Sequence, residues 1–254
     1  MALTDAQKQK FEEDGYLIVP SLLTYEEVEV VRQRADLIGS GGVTPELGRG
    51  IQVEPSIQKG QVVAKSPVES IRKLGGLVRT DHVMNTHATN PKIIDIIVDL
   101  LGPDIKLFGD QLFMKPSVHG SRKDYHQDSQ SWQHVVPNNL VSCWAALDDA
   151  TVENGCLWFI PGSHKWGLIG RERAQEIEQK ALSGPLENEV PIELKAADCS
   201  FHHSLVLHSS RANRSSHRRR GYSTHYMSAR TRYVGEDDKP DYLLVRGEEF
   251  PGCV

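Results

Sequence analysis

His126 and Asp128 stand two residues apart in Tyr125-His126-Gln127-Asp128, and a third candidate ligand, His208, follows far downstream. Two imidazoles and one carboxylate make a facial metal triad, which fills one face of an octahedral ion and leaves three positions open. Iron(II) oxygenases use such open positions, so these residue types imply oxygen chemistry at a metal. On an extended backbone residues i and i+2 face the same way, so His126 and Asp128 can reach one ion without a turn. The third ligand must come from a distant strand that folds back alongside. His208 closes the apolar run Ser204-Leu205-Val206-Leu207 and precedes Ser209-Ser210, a strand-end position at a barrel rim. His202 and His203 compete for that role, and as strand neighbours one of them faces outward. With 11 histidines in the chain, an isolated HxD by itself says little. Zinc is the other candidate ion. No CxxC pair is present for a four-ligand structural site, whereas a catalytic zinc can use the same two histidines and carboxylate.

The elements that must position these residues change character along the chain. Residues 1–104 read mainly as a helical layer. Thr4 with Gln7, and Thr24 with Glu27, form capping-box patterns, and Tyr16-Leu17-Ile18-Val19 is a short strand between them. Asn90 followed by Pro91 opens another helix, carried by Ile93, Ile94, Ile97, Leu100 and Leu101 and closed by Gly102. Residues 40–63 hold five glycines without a period and read as a long loop, a candidate lid. From Ile105 onward the pattern becomes short strands, at 105–108, 111–115, 140–147, 155–160, 190–194, 199–207 and 219–227, with one inserted helix at 170–182. Many short strands bounded by turn residues suggest a closed or double-sheet β architecture. The expected fold is mainly β with N-terminal helices around a double-stranded β-helix core (jelly roll, cupin-like). It forms one domain over residues 1–254, with the jelly roll in 105–254.

Composition narrows the function further. A net charge of −5 and a pI near 6.1 argue against a nucleic-acid partner. The one dense basic run, Arg211 to Arg220, holds five arginines and one histidine and reads largely as a solvated loop. No apolar run reaches the length of a membrane span, so no membrane partner is expected. The N-terminus lacks a secretion signal, and Gly252-Cys253-Val254 is no peroxisomal address. The four cysteines form no CxxC pair, and three lie in apolar strand-like runs, so reduced thiols and a soluble cytoplasmic protein are expected. The oligomeric state is not set by these features.

Several motifs together resemble the phytanoyl-CoA dioxygenase family of iron(II)/2-oxoglutarate oxygenases. They are Phe11-Glu12-Glu13-Asp14-Gly15-Tyr16-Leu17-Ile18-Val19-Pro20, Met114-Lys115-Pro116, Tyr125-His126-Gln127-Asp128 and Asn154-Gly155-Cys156-Leu157-Trp158-Phe159-Ile160-Pro161-Gly162-Ser163-His164, followed by His208, Asn213 and Arg219. The Asn154–His164 stretch is the most specific, and the motifs occur in the family's order across most of the chain. The resemblance implies a double-stranded β-helix, with His126, Asp128 and His208 as iron ligands. It implies that Arg219 grips the far carboxylate of 2-oxoglutarate, for which a planar, permanently charged guanidinium is suited. Lys115 and Trp144 resemble two further co-substrate contacts. Trp144 also reads as an ordinary core aromatic, while a buried lysine needs a partner.

The cofactors implied are iron(II), 2-oxoglutarate and oxygen, and the reaction is hydroxylation of an unactivated C–H bond with release of succinate and carbon dioxide. Asp128 distinguishes this chain from related halogenases, where a small residue leaves room for halide. The primary substrate is a small molecule, with Gln111, Phe113 and Trp132 as candidate contacts, although Trp132 reads equally as buried structure. Two alternatives remain at this point: a non-catalytic jelly-roll protein that binds a metal or metabolite, and a zinc hydrolase on a cupin-like barrel.

Overall fold

The computed structural model describes residues 2–42 and 50–254. The first helices begin where their caps lie. Thr4 accepts from the Gln7 N–H and Thr24 from the Glu27 N–H, and each partner side chain returns a bond to the cap, starting α1 (Asp5–Asp14) and α2 (Tyr25–Gly39). Gly15, at φ +79°, ends α1 and turns the chain into β1 (Tyr16–Val19). Gly15 is also held to glycine by space, because a Cβ there would collide with the His164 ring. The two family motifs that carry these residues therefore meet.

The segment read as a loop over 40–63 is more structured than expected. Its residues 43–49 lie outside the described residues, but β2 (Ile51–Val53) and α3 (Pro55–Gln58) follow. Next come α4 (Pro67–Ser70), β3 (Ile71–Gly75), α5 (His82–Ala88) and α6 (Pro91–Leu101), the last capped by Asn90 as expected. β2 pairs with β3 and β3 with the long strand β4 (Ile105–Phe113), so both join the main sheet. The separate strands expected at 105–108 and 111–115 are one strand. It runs straight through Gly109, and a register shift opposite His225/Tyr226 absorbs the irregularity.

The remaining strands are β5 (Lys123–His126), β6 (Val135–Val136), β7 (Val141–Ala146), β8 (Leu157–Phe159), β9 (Val190–Ile192), β10 (Cys199–His203), β11 (His208–Ser210), β12 (Gly221–Ser228), β13 (Arg232–Tyr233) and β14 (Leu243–Arg246). Helix α7 (Arg171–Ser183) lies between β8 and β9. The run 199–207 is not one strand. It stops at His203, where the Leu205 N–H donates to the His203 ring and the Val206 N–H to the His203 carbonyl. Val206 and Leu207 are buried in a turn instead, so His208 opens a strand rather than closing one.

All strand pairings described are antiparallel. The large sheet runs β1-β10-β7-β12-β4-β3-β2, with β14 also on β4, and a smaller sheet runs β5-β11-β8-β9. The two sheets face each other: Tyr16 and Trp144 of the large sheet share an apolar cluster with Phe159 and Ile192 of the small one. Helices α2, α5 and α6 cover the opposite face of the large sheet, where Val31, Met84 and Ile97 pack with Cys143, Phe201, Tyr222 and Tyr226. This is the jelly-roll core with its N-terminal helical layer. No helix among the described residues is long and apolar enough to cross a membrane.

Strand alternation decides what faces the interior. In β7, Val141, Cys143 and Ala145 meet the helices, while Ser142 and Trp144 point between the sheets. In β10 the helix face is Cys199 and Phe201 and the inner face carries His202; in β12 Tyr222 and Tyr226 alternate with Ser223 and His225. The inner face is buried yet polar, which marks a site and not a second core.

Two histidines make stability acid-sensitive. His87 stacks on Tyr222 inside the helix layer, and burial brings its pKa from 6.5 down to about 4. Burial brings His203 down to about 4 as well. The unfolded chain takes up these protons near pH 6.5 while the native state resists until about pH 4. Stability is therefore full above pH 6.5 and falls toward pH 4, by up to about 1.4 kcal/mol per pH unit for each histidine. Denaturant midpoints at pH 7.5 and pH 5 test this, and equal midpoints would refute it.

Candidate active site

His126 ends β5 and His208 opens β11, and the two are direct partners across the strand pair. Their rings lie 4.2 Å apart. Gln127 continues the extended backbone (φ −104°, ψ 135°), and Asp128 then starts a 3-10 turn over Asp128–Ser131. The buried Gln127 side chain pins this step. Its amide donates to the carbonyls of Gly167 (2.9 Å) and Leu205 (2.7 Å), and its oxygen accepts from the Ile169 N–H (2.9 Å). Asp128 Oδ1 comes within 3.7 Å of His126 Nε2 and 3.9 Å of His208 Nε2. The ligand atoms of all three residues lie within 4.8 Å of one another, close enough to share one ion.

The tautomers suit a metal. Nδ1 of His126 lies 2.8 Å from the Asp124 carbonyl, and Nδ1 of His208 lies 2.9 Å from the Val206 carbonyl. Each Nδ1 therefore carries the proton, and each Nε2 lone pair faces the cluster. Burial lowers the pKa of His126 and brings that of His208 down to about 3, so both rings are neutral near pH 7. For Asp128 burial works toward protonation, but the surrounding imidazoles, His208 first, outweigh it and hold the carboxylate ionised.

The three competing histidines His202, His203 and His208 point in different directions, and His208 is the one within ligand distance of His126 and Asp128 together. His203 turns away, with its ring 5.6 Å from His164. His202 points inward, but its Nε2 lies 3.6 Å from Asp128 Oδ2, the oxygen not facing His126 and His208. It stacks 5.1 Å from Phe159 and so holds the carboxylate from behind. His202→Ala is expected to lower turnover with 2-oxoglutarate about 10- to 100-fold, as for residues that orient a metal ligand. His202→Gln, which keeps a donor, should recover most of that loss. Unchanged turnover in His202→Ala would remove the assignment.

A second group of side chains gathers on the same cavity, of about 490 Å³, which is lined by the three ligand candidates, Lys115, Trp144 and Arg219. Lys115 and Arg219 are both buried, and among the described residues no carboxylate hydrogen-bonds to either. Lys115 Nζ donates to Ser210 Oγ (3.1 Å) and to the Arg211 carbonyl. Arg219 Nη2 donates to the Gly155 carbonyl (2.9 Å), which Lys115 also approaches at 3.4 Å, while Arg219 Nε has no partner. Burial pulls the Lys115 pKa well down, with the Arg219 guanidinium adding to the effect. Burial also brings Arg219 down to about 10, which leaves it charged at neutral pH. A buried, charged guanidinium with a spare donor fits a carboxylate ligand.

Gly155 explains the specificity of its motif. It sits at φ +83°, and a Cβ would collide with the Arg211 carbonyl and press on Lys115 Nζ. Trp144 lies under the Arg219 guanidinium, 5.3 Å from its centre. Gly221 leaves room for that ring, because a Cβ there would overlap it. Arg219 stands in the extended stretch just before β12 and not within it. Alternation still holds: Arg218 and Arg220 turn outward to Asp36, and Arg220 also pairs with Asp148 at 2.8 Å. The basic run is thus mostly consumed by ion pairs, including Arg211 with Glu189 at 2.6 Å.

The three candidate substrate contacts all reach this cavity. Gln111 and Phe113 line it from β4, and the Gln111 oxygen accepts from Lys73 Nζ (2.9 Å). Trp132 meets both of its readings. It lines the cavity, and behind it Phe108 (4.9 Å), Tyr242 and Val254 form a small core. The C-terminal tail therefore supports the cavity wall from outside. Gln52, Glu54, Arg72 and Lys73 also line the cavity and were not anticipated, because Gln52, Arg72 and Lys73 fall in strands too short to show a period and Glu54 caps the one-turn helix α3.

Comparison with known proteins decides the family. The phytanoyl-CoA dioxygenase (PhyH) family profile matches residues 11–221. The chain belongs to the phytanoyl-CoA dioxygenase family. As such it is an iron(II)/2-oxoglutarate-dependent dioxygenase, and its His-Asp-His cluster fits the metal. It is 28% identical to phytanoyl-CoA dioxygenase domain-containing protein 1 of Rattus norvegicus, over 89% of this chain and 91% of that one. It is 26% identical to the peroxisomal phytanoyl-CoA dioxygenase of Homo sapiens, over 91% of this chain and 70% of that one. Among solved structures it superposes on EctD from S. alaskensis with 2-oxoglutarate and 5-hydroxyectoine (TM-score 0.75, 22% identical, 99% of this chain and 86% of that one). It also superposes on the epimerase SnoN in complex with Fe3+, alpha ketoglutarate and nogalamycin RO (TM-score 0.72, 22% identical, 95% and 98%). At this identity the likenesses establish the shared jelly-roll fold of the family.

Proposed function

We propose that the chain hydroxylates an unactivated C–H bond of a small organic metabolite, converting 2-oxoglutarate to succinate and carbon dioxide. The observation that carries this reading is one cavity uniting the His126-Asp128-His208 cluster with buried Arg219 and Lys115, to which no carboxylate hydrogen-bonds among the described residues. In it, His126 Nε2, Asp128 and His208 Nε2 hold the iron. Arg219 takes the far carboxylate of 2-oxoglutarate through its unpartnered Nε and the rest of its fork, with Lys115 beside it. Trp144 fixes the guanidinium plane and, with Phe113, Trp132 and Leu157, keeps that end of the cavity poor in water.

When bound, iron with 2-oxoglutarate and oxygen supplies the oxidising power for C–H cleavage. The protein's part is to offer neutral imidazoles, an ionised carboxylate and fixed cations before either ligand arrives. The presence of Asp128 supports hydroxylation over halogenation. One continuous apolar cluster, from Leu3 through Val141 to Tyr226, supports reading the chain as one catalytic domain. The experiment is anaerobic addition of iron(II) and 2-oxoglutarate, read for the visible charge-transfer band of the chelate, followed by oxygen-dependent succinate release. A protein that forms no such band, or that releases no succinate with oxygen, does not have this function.

A further inference from the structure

Glu54 has no part in the roles assigned above, yet it is fully buried on the wall of the same cavity. Its backbone is tied at both ends: the Glu54 N–H donates to the Ser70 carbonyl (2.8 Å), and its own carbonyl accepts from Ile57 (3.0 Å) and Gln58 (3.0 Å). Oε2 accepts from the Ser121 N–H at 3.2 Å, while Oε1 is buried with no hydrogen-bond partner. A carboxylate oxygen withdrawn from water and left without a donor is unfavourable unless the donor arrives with a ligand. 2-Oxoglutarate cannot be that ligand, since it would bring more negative charge.

The surrounding wall has the opposite sign. Arg72 and Lys73 of β3 and Lys123 of β5 line the cavity. Lys73 reaches the Gln111 oxygen (2.9 Å), and the Arg72 guanidinium makes only a long contact with the Arg122 carbonyl (3.4 Å). Among the described residues the apolar lining is the four residues named above, which is little for a long hydrocarbon chain.

Taking the dioxygenase reading above as its basis, we propose that the primary substrate is a small zwitterion. Its ammonium seats on Glu54, and its carboxylate is held by Arg72 and Lys73. An ammonium gives the orphaned oxygen a charged donor, and the two cations give the carboxylate at the opposite end charged donors. The carboxylate and the ammonium together match a wall that carries both signs.

The test uses the full chain loaded with iron(II) and 2-oxoglutarate and challenged with a set of small metabolites. The set is grouped as zwitterionic amines, carboxylates without an amine, amines without a carboxylate, and neutral compounds, and the readout is succinate release above background. Release is expected only with zwitterions, and N-acetylation of a responding compound should raise its KM at least about tenfold, the scale of one lost charge-assisted hydrogen bond. Glu54→Gln should raise the KM of the zwitterion by a similar factor and shrink the difference between it and its N-acetyl derivative. Glu54→Ala serves the same purpose if the glutamine variant fails to fold, as judged by the anaerobic charge-transfer band. A wild-type protein without that band would sink the dioxygenase reading itself. A wild-type protein with the band that responds only to neutral or singly charged compounds, or to none of the set, would overturn the zwitterion assignment, as would an unchanged preference in the Glu54 variants.

Discussion

Asp128→Ala is expected to abolish oxygen-dependent succinate formation, by more than the roughly hundredfold loss that follows removal of a group that merely orients a ligand. The argument is electrostatic as well as geometric. His126 and His208 approach the cluster as neutral imidazoles, so Asp128 is the only charge the cluster itself brings to the cation. It is also the point on which the arrangement converges, with both Nε2 atoms facing its Oδ1 and His202 facing its Oδ2. Removing it leaves two neutral donors, an extra open position and a stranded His202. Asp128→Asn keeps the shape but not the charge and should fail almost as completely. Metal content after dialysis separates loss of iron from loss of turnover, and a rate within twofold of wild type would reject Asp128 as a ligand.

Arg219→Met should act on the co-substrate and not on the metal. The guanidinium is buried, rests on Trp144 and spends only one donor visibly, on the Gly155 carbonyl. Removing one side of a buried hydrogen-bonded charge pair costs about 2–5 kcal/mol, which corresponds to a rise in the KM for 2-oxoglutarate on the order of thirtyfold or more. Arg219→Lys should recover little, since an ammonium cannot present two parallel donors or stack flat on an indole. Iron content should stay at the wild-type level. A KM for 2-oxoglutarate that does not move would show that the far carboxylate is held elsewhere, with Lys115 the next residue to test.

The pairing of His126 with Asp128 was legible in the sequence because its information is local, two ligand types two residues apart, whereas His208 was set apart from His202 and His203 by the family resemblance. What the sequence could not show was direction. His208 opens its strand because Val206 and Leu207 are buried in a turn, and an apolar run looks the same in a strand or a turn. His202 and His203 were indistinguishable until the partners of β10 were known. Arg219 was named by the family resemblance, and it lines the cavity while its neighbours Arg218 and Arg220 turn to Asp36. Arg72 and Lys73 stayed hidden because β3 has five residues and exists only through long-range pairing with β4, and Glu54 because it only joins the three-residue β2 to the one-turn α3. The wall formed by Glu54, Arg72 and Lys73 is therefore the part of the cavity that local patterns reveal least.

The direct pairing of His126 with His208 has a further consequence. An ion held between them would act as a clasp across β5 and β11, closing a long stretch of chain that includes β6 through β10. Iron would then prolong the lifetime of the folded molecule as well as drive its chemistry, since a ligand bound only by the native form stabilises it by mass action.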